Sequence, residues 1–101
     1  MTTTPTAGRR IWRQTVDLAD RQTLTAPGLR RVLAVDDQRG VLEAWFEVVP
    51  GQPERSLDLI IVGTGHEIPD DADAYLGHLV TAGGVFVWHF YTGRIFQGGL
   101  R

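Results

Sequence analysis

Turn-forming residues punctuate this sequence about every ten residues, and that spacing restricts the fold more than any other feature. The segments between the turns are rich in valine, isoleucine, threonine and aromatic residues, which fit the half-buried surface of a sheet. Short segments of this kind are typical of a small sandwich or barrel. The 101 residues suffice for one domain with one hydrophobic core. The sequence therefore predicts an all-β fold, a small antiparallel β-sandwich of about six strands.

Glycine and proline separate the predicted strands. These strands lie near residues 10–17, 29–36, 41–49, 56–64, 75–82 and 85–92. We expect residues 1–8 to be a disordered N-terminal tail, 9–93 to be the sandwich domain, and 94–101 to be a C-terminal tail. Residues 21–27 are predicted to be extended. Residues 70–74 fit a short helical turn and a loop equally well.

Two hairpins are predicted from their turn residues. Arg39-Gly40 joins the second and third strands, and Gly83-Gly84 joins the last two. A two-residue turn at Gly83-Gly84 fixes the pairing, since residue 82 then faces residue 85. Extending that register places His78 directly opposite His89.

The last predicted strand is apolar on both faces. We assign one face to the core, which we expect to contain Trp12, Phe46, Phe86, Trp88 and Phe90. The opposite face carries Val85, Val87 and Tyr91 beside His89. A half-solvated strand alternates apolar with polar residues, so a second layer, a loop or another subunit must cover this face. With Trp45 as a further interface residue, the pattern predicts a homodimer or another homo-oligomer.

Missing residue types exclude several functions. The chain has no cysteine, no lysine and no asparagine, and its only serine is Ser56. Disulfides, thiol nucleophiles, Schiff bases and a P-loop are therefore excluded, and Ser56 lacks the strand-to-helix elbow of a hydrolase. A net charge of −2 argues against a nucleic-acid partner. No segment approaches the ~18 apolar residues of a membrane span, so we expect no membrane partner and a cytoplasmic location.

The stretch from Gly63 to Asp70 resembles two known motifs only superficially. It begins like a dinucleotide-binding fingerprint and like a zinc-protease motif, but Pro69 blocks the helix that both require. The aspartates at positions 70, 71 and 73 lack the further oxygen ligands of a calcium loop, so we expect a solvated acidic turn. We predict no catalytic residue, no metal and no cofactor.

Two binding hypotheses remain for the histidines. In the first, Thr64, Gly65, His66 and His89 line a small polar pocket, while the alternative reading is that the two glycines near Thr64 allow a tight bend. In the second, the paired His78 and His89 share a metal ion, which requires a third ligand that the sequence does not identify.

Seven stretches resemble a known family. They are Ile11-Trp12, Asp20-Arg-Gln-Thr23, Ala26-Pro-Gly28, Trp45, Val62-Gly-Thr-Gly-His66, Tyr75-Leu-Gly77 and Gly84-Val-Phe-Val-Trp-His-Phe90. The chain is similar over residues 11–91 to a domain-of-unknown-function family of small proteins from actinobacteria and tailed phages. The resemblance implies a strand after Tyr75 but no activity, cofactor or catalytic residue. Its members more often have threonine at the place of His78, whereas His66 and His89 match.

These observations favour a non-enzymatic protein-interaction module of bacterial or phage origin that self-associates. Two alternatives stay open. One is a small-ligand or metal-binding protein, with or without hydrolytic activity, centred on His66 and His89. The other is a phage accessory protein that binds and inhibits a host factor, in which case the partner is a host or phage protein.

Overall fold

A computed structural model of the protein describes residues 8–81 and 84–97, and these residues form eight strands and no helix. The strands are β1 (Arg10–Thr15), β2 (Arg21–Pro27), β3 (Arg31–Gln38), β4 (Val41–Val48), β5 (Glu54–Gly63), β6 (Ala74–Thr81), β7 (Phe86–Thr92) and β8 (Phe96–Gln97). The predicted all-β class is confirmed. The predicted extended segment 21–27 is the paired strand β2, and β8 was not predicted. None of the described residues belongs to a helix that is long and apolar enough to cross a membrane.

Two antiparallel sheets form the sandwich. The smaller sheet has the order β1-β4-β3, and the larger has the order β2-β5-β7-β6. The short β8 pairs with the beginning of β5. The sheets pack face to face, with β3 approaching β6. Strands β1, β3, β2 and β6 are therefore the edges of the two sheets.

Both predicted hairpins have the predicted register. Gln38 pairs with Val41 across the turn at Arg39-Gly40. In the β6–β7 hairpin His78 pairs with His89, as predicted, and the neighbouring pairs agree as well. The predicted pairing of residue 82 with residue 85 involves positions outside the described residues.

The β6–β7 register changes at one place. Between Tyr75 and Gly77 the pairing shifts by one residue, so Tyr75 lies opposite Tyr91 and not opposite Thr92. Leu76 is the extra residue of this bulge. Gly77 has a φ of 136°, which residues with a side chain rarely adopt, and its glycine permits the bend. The bulge moves Tyr75 to the outer face of the larger sheet.

The core lies between the sheets and contains residues from both. Its buried members are Val16, Leu24, Ala26, Leu29, Val32, Ala44, Phe46, Val48, Leu57, Leu59, Ile61 and Phe90. Of the aromatic residues predicted for the core, Phe46 and Phe90 are buried, but Trp12 is 41% exposed and Phe86 is 52% exposed. Trp12 is exposed because it lies on an edge strand of the smaller sheet. Phe86 is exposed because β5 ends opposite Trp88, so the tip of the hairpin projects beyond the other strands.

The loop of residues 64–73 covers part of the outer face of the larger sheet. Ile60 and Val62 point to this outer face and are nevertheless buried. They line one cavity together with His66 and Pro69 of the loop. Within the loop the predicted helical turn at 70–74 is replaced by a single tight turn, in which the Ala72 N–H donates to the Pro69 carbonyl at 3.0 Å. Proline at the start of this short acidic segment and the strand that begins at residue 74 leave no length for a helix.

The described part of the predicted tail 94–101 is joined to the sheet. Phe96 pairs with Ser56 and Gln97 pairs with Arg55, both at the beginning of β5. Because residues 96–97 lie beside β5, they do not cover the apolar outer face of β7 near the hairpin tip.

Candidate functional site

His89 lies at the centre of the outer face of the larger sheet. On β7 it is paired with Val62 of β5 on one side and with His78 of β6 on the other. Its Nε2 atom lies 2.9 Å from the Thr64 hydroxyl. Its Nδ1 atom lies 2.9 Å from the Tyr75 hydroxyl. Both ring nitrogens of His89 are therefore hydrogen-bonded.

The Thr64 hydroxyl has a second partner besides His89. It lies 3.3 Å from the Val87 carbonyl, to which it can donate its one proton. When it does so, Thr64 accepts a proton from Nε2 of His89 and the Tyr75 hydroxyl donates to Nδ1; when Thr64 donates to Nε2 instead, His89 carries its proton on Nδ1. Either tautomer of His89 satisfies both hydroxyl contacts.

The sequence Gly63-Thr64-Gly65-His66 forms a tight turn at the end of β5. The His66 N–H donates to the Gly63 carbonyl at 3.0 Å. The turn folds the His66 ring back over Gly63, where an added Cβ would lie 3.3 Å from His66 Nδ1 and 3.2 Å from the Trp88 ring. This turn brings Thr64 within hydrogen-bonding distance of His89, as well as placing His66 beside the sheet.

A surface cavity of about 250 Å³ lies between the turn and β7. It is lined by Val62, Gly63, Thr64, Gly65, His66, Ile68, His89 and Tyr91. All four residues proposed for ligand binding from the sequence are among them. Tyr75, which orients His89, was not proposed, because a regular register places it on the inner face. The glycine at position 77 was the signal that could have found it, since a glycine inside a strand often marks a bulge.

The hydrogen bonds of His89 limit its chemistry. Because hydroxyl groups contact both ring nitrogens of His89, a metal ion would have to displace Thr64 or Tyr75 from one of them. The His78 and His89 rings lie 6.1 Å apart, and the described residues contain no group of three or more ligands suited to a metal. The cavity has polar groups from Thr64, His66 and His89 beside apolar ones from Val62 and Ile68.

Arg21 links the loop of residues 64–73 to the larger sheet by hydrogen bonds. Its guanidinium donates to buried Asp58 of β5 at 2.8 Å and to Asp71 of the loop at 2.7 and 2.8 Å. Thr23 also donates to Asp58, at 2.8 Å. The hydrogen bonds with Asp71 and then with Asp58 raise the pKa of Arg21 above its ordinary value, so the bridge keeps its positive charge. The aspartates of the acidic turn are exposed, as expected for the solvated turn predicted from the sequence, and Asp71 is in addition linked to β5 through Arg21.

The structure separates the four residues proposed for an interface. Val85, Val87 and Tyr91 lie on the outer face of the larger sheet or at its tip, where Val85 is 72% exposed. Trp45 lies on the outer face of the smaller sheet, paired with Arg13. Trp45 therefore belongs to a different surface, and Tyr91 is shared with the cavity.

The free edge of β6 is uncharged. Its sequence, Ala-Tyr-Leu-Gly-His-Leu-Val-Thr, contains no aspartate, glutamate, arginine or proline. The other long edge strands carry residues that protect an edge from pairing: β1 and β3 carry arginine or aspartate, and β2 carries arginine and proline. Beside the β6 edge, Tyr75 and Val80 are both about half exposed.

Comparisons with known proteins identify the family but no activity. No curated protein and no solved structure matches the chain. The family model of a domain of unknown function matches residues 7–98, which is most of the chain and extends beyond the resemblance noted from the sequence. The chain therefore belongs to the family described as domain of unknown function DUF7352.

Proposed function

We propose that the protein is a non-enzymatic interaction module that self-associates through the β6–β7 hairpin. The observation that supports this proposal is the uncharged, unpaired edge of β6. An unpaired edge presents a row of N–H and C=O groups, which pair readily with another strand unless charges or proline prevent it. The described residues of β6 carry neither a charge nor a proline. The bulge at Leu76 interrupts this edge at one place, and the regular part from Gly77 to Thr81 continues beyond it.

A second copy of the chain is the occupant that fits this edge. Two β6 strands related by a two-fold axis pair antiparallel, so each strand supplies donors and acceptors to the same strand of its partner. No like charges meet across such a pair. The half-exposed Tyr75 and Val80 side chains, with Val85 at the tip, then lose contact with water. Burial of apolar area stabilises association by about 25 cal/mol per Å², before the cost of lost rotation and translation.

Sedimentation equilibrium of the full chain tests the proposal. We expect a dimer at micromolar concentration, and we expect Val80→Lys to make the protein monomeric because it places a charge on the pairing edge. Val41→Lys is the matched control. Val41 is a strand residue of comparable exposure, 42% against 51%, but it lies in the smaller sheet. The control variant should remain dimeric.

A monomer at high micromolar concentration contradicts self-association. Equal dissociation by the two lysine variants contradicts the position of the interface, because a general effect of charge explains it equally well. Circular dichroism of both variants shows whether the fold is retained.

A second candidate function is the binding of a small polar ligand in the His89 cavity. It is favoured by one observation, the convergence of His66, His89 and the Thr64 hydroxyl on the same cavity. Metal analysis of purified, tag-free protein tests the metal variant of this function. Stoichiometric zinc or nickel that His89→Ala abolishes supports it, whereas metal-free protein contradicts it.

We further propose a bacterial or phage-infected cytoplasm as the location, and actinobacteria and their phages as the source of the family. The sequence resemblance supports the source. The joint absence of lysine and asparagine also supports it, because A-rich codons encode both residues and a GC-rich genome disfavours them.

A further inference from the structure

Five arginines line two surface cavities. One cavity contains Arg30 and Arg55, and the other contains Arg9, Arg10 and Arg31 together with one carboxylate, that of Glu47. Glu47 also contacts Arg30, which joins the two groups of arginines. The chain as a whole has a net charge of −2, so this region differs in sign from the rest of the molecule. An excess of guanidinium groups is a property of surfaces that bind anions.

Glu47 neutralises only part of this charge. Its carboxylate contacts Arg30 at 2.9 Å, Arg31 at 3.2 Å and Arg9 at 3.4 Å. Partial burial raises the pKa of Glu47, but the hydrogen bond from Arg31 and the three positive charges outweigh it, so the pKa lies below its ordinary value. Three guanidinium groups offer more N–H donors than one carboxylate can accept. Donors are therefore in excess even around the charged acid.

Arg55 has no such carboxylate. It lies on β5 between Ala26 of β2 and Gln97 of β8, so the backbone on both sides is held by strand pairing. Residues paired across a ladder share a face, which puts the Arg55 side chain on the same inner face as Ala26. It is half-buried, and within the described part of the chain it forms no ion pair. The Arg55 side chain is therefore held in position by the strand pairing around it, and its N–H donors are available to an anionic ligand.

A cavity of about 430 Å³ brings these donors together. Its lining consists of Gly28, Arg30, Val49, Gln52, Pro53, Arg55 and Gln97. Two arginines and two glutamines are thus among the residues that line the space, and no described acidic residue is. The volume is within the range of small-molecule sites, ~300–1,000 Å³.

We propose that this cavity binds the phosphate group of a small molecule, with Arg55 and Arg30 as the charged ligands and Gln52 and Gln97 as neutral donors. A phosphate group has enough oxygens to accept hydrogen bonds from both arginines and from an amide at once, and the planar fork of arginine matches two of them. A single carboxylate has two oxygens and satisfies fewer of these donors. The negative net charge of the chain argues against a polyanion as the ligand.

Isothermal titration with inorganic pyrophosphate tests the proposal on the full chain. We expect saturable binding, and we expect Arg55→Gln to weaken it by about tenfold or more, since a hydrogen-bonded charge is lost. Arg13→Gln is the matched control, because Arg13 is exposed on the outer face of the smaller sheet. It should bind pyrophosphate like the unaltered chain. In nitrogen-15 spectra the side-chain amide signals of Gln52 and Gln97 should shift with the same titration curve.

Three outcomes overturn the proposal. The first is the absence of saturable binding, and the second is equal weakening by the Arg55 and Arg13 variants, which indicates a diffuse charge effect. The third is tighter binding of citrate than of pyrophosphate at matched ionic strength, which assigns the cavity to carboxylates. If Arg55→Gln does not fold, Arg30→Gln replaces it, with the same expected weakening.

Discussion

Replacing Arg21 should destabilise the protein through the buried carboxylate that it neutralises. Asp58 is 2% exposed, and removing the partner of a buried charge typically costs ~3–5 kcal/mol. Thr23 still donates to Asp58 after the change, which reduces this cost. The ion pair between Arg21 and Asp71 contributes little to stability, because the Asp71 side chain is 59% exposed and exposed ion pairs contribute ~0–1 kcal/mol. We therefore expect Arg21→Gln to lower the free energy of unfolding by about 3 kcal/mol.

Urea denaturation followed by tryptophan fluorescence measures this loss. Asp71→Asn is the control and should cost about 1 kcal/mol or less. Adding Asp58→Asn to Arg21→Gln should recover part of the loss, since the double variant no longer buries a carboxylate that has lost its arginine. A coupling of about 1 kcal/mol or more is expected for residues in contact. Equal, small losses for the Arg21 and Asp71 variants, or no recovery in the double variant, would refute the reasoning.

Three further predictions concern the other contacts described above. Because the pKa of Glu47 is lowered in the folded chain, its charge stabilises the fold above the ordinary pKa of 4.5. This contribution is lost as the pH falls through the lower, folded-state pKa. Glu47→Gln should therefore flatten the decline of stability in that acidic range, as measured by urea denaturation at each pH. Phe90→Ala should cost ~3–5 kcal/mol because Phe90 is 1% exposed, whereas Phe86→Ala should cost about 1 kcal/mol, the value of its stacking on a neighbouring ring; similar losses would contradict the assigned burial. Gly63→Ala should displace the imidazole that lies over it, and an unchanged histidine spectrum in solution would contradict that contact.

The sequence predicted local pairing better than distant pairing. Both hairpin registers follow from two-residue turns, which fix the pairs from the turn as far as the first bulge, between Val32 and Ala34 in one hairpin and between Tyr75 and Gly77 in the other. Strand β2 was predicted only as an extended segment, because its partner β5 lies more than twenty-five residues further along and Pro27 weakens the strand pattern. Strand β8 has two residues, too few for any alternation to show. Its partner residues in β5 are distant in the sequence, so no local pattern indicates this pairing.

The same distinction applies to the candidate site. Thr64 and His66 belong to one turn, and His89 follows from the register of a hairpin, so the sequence was enough to propose these three residues together. Tyr75 was missed because one bulge residue moves it to the other face of the sheet, and a bulge shifts the register without changing the apolar pattern around it. The arginine-lined cavity was also missed. It combines the segment between β2 and β3, the loop before β5, the beginning of β5, and β8. Strands β2 and β8 reach β5 only by non-local pairing.

The two proposed binding surfaces should act independently because β5 holds them apart. Arg55 lies at its beginning and Gly63 at its end, beside the β6–β7 hairpin, a separation of roughly 26 Å at about 3.3 Å per residue. Coupling between two sites requires an element between them that has two alternative conformations. Strand β5 is paired on both sides and buried over most of its length, which holds it in one conformation. We expect pyrophosphate to leave the dimer dissociation constant unchanged and Val80→Lys to leave pyrophosphate binding unchanged. Because coupling between two sites is reciprocal, either measurement is sufficient, and a shift of tenfold in one of them would show that the ligand contacts the interface.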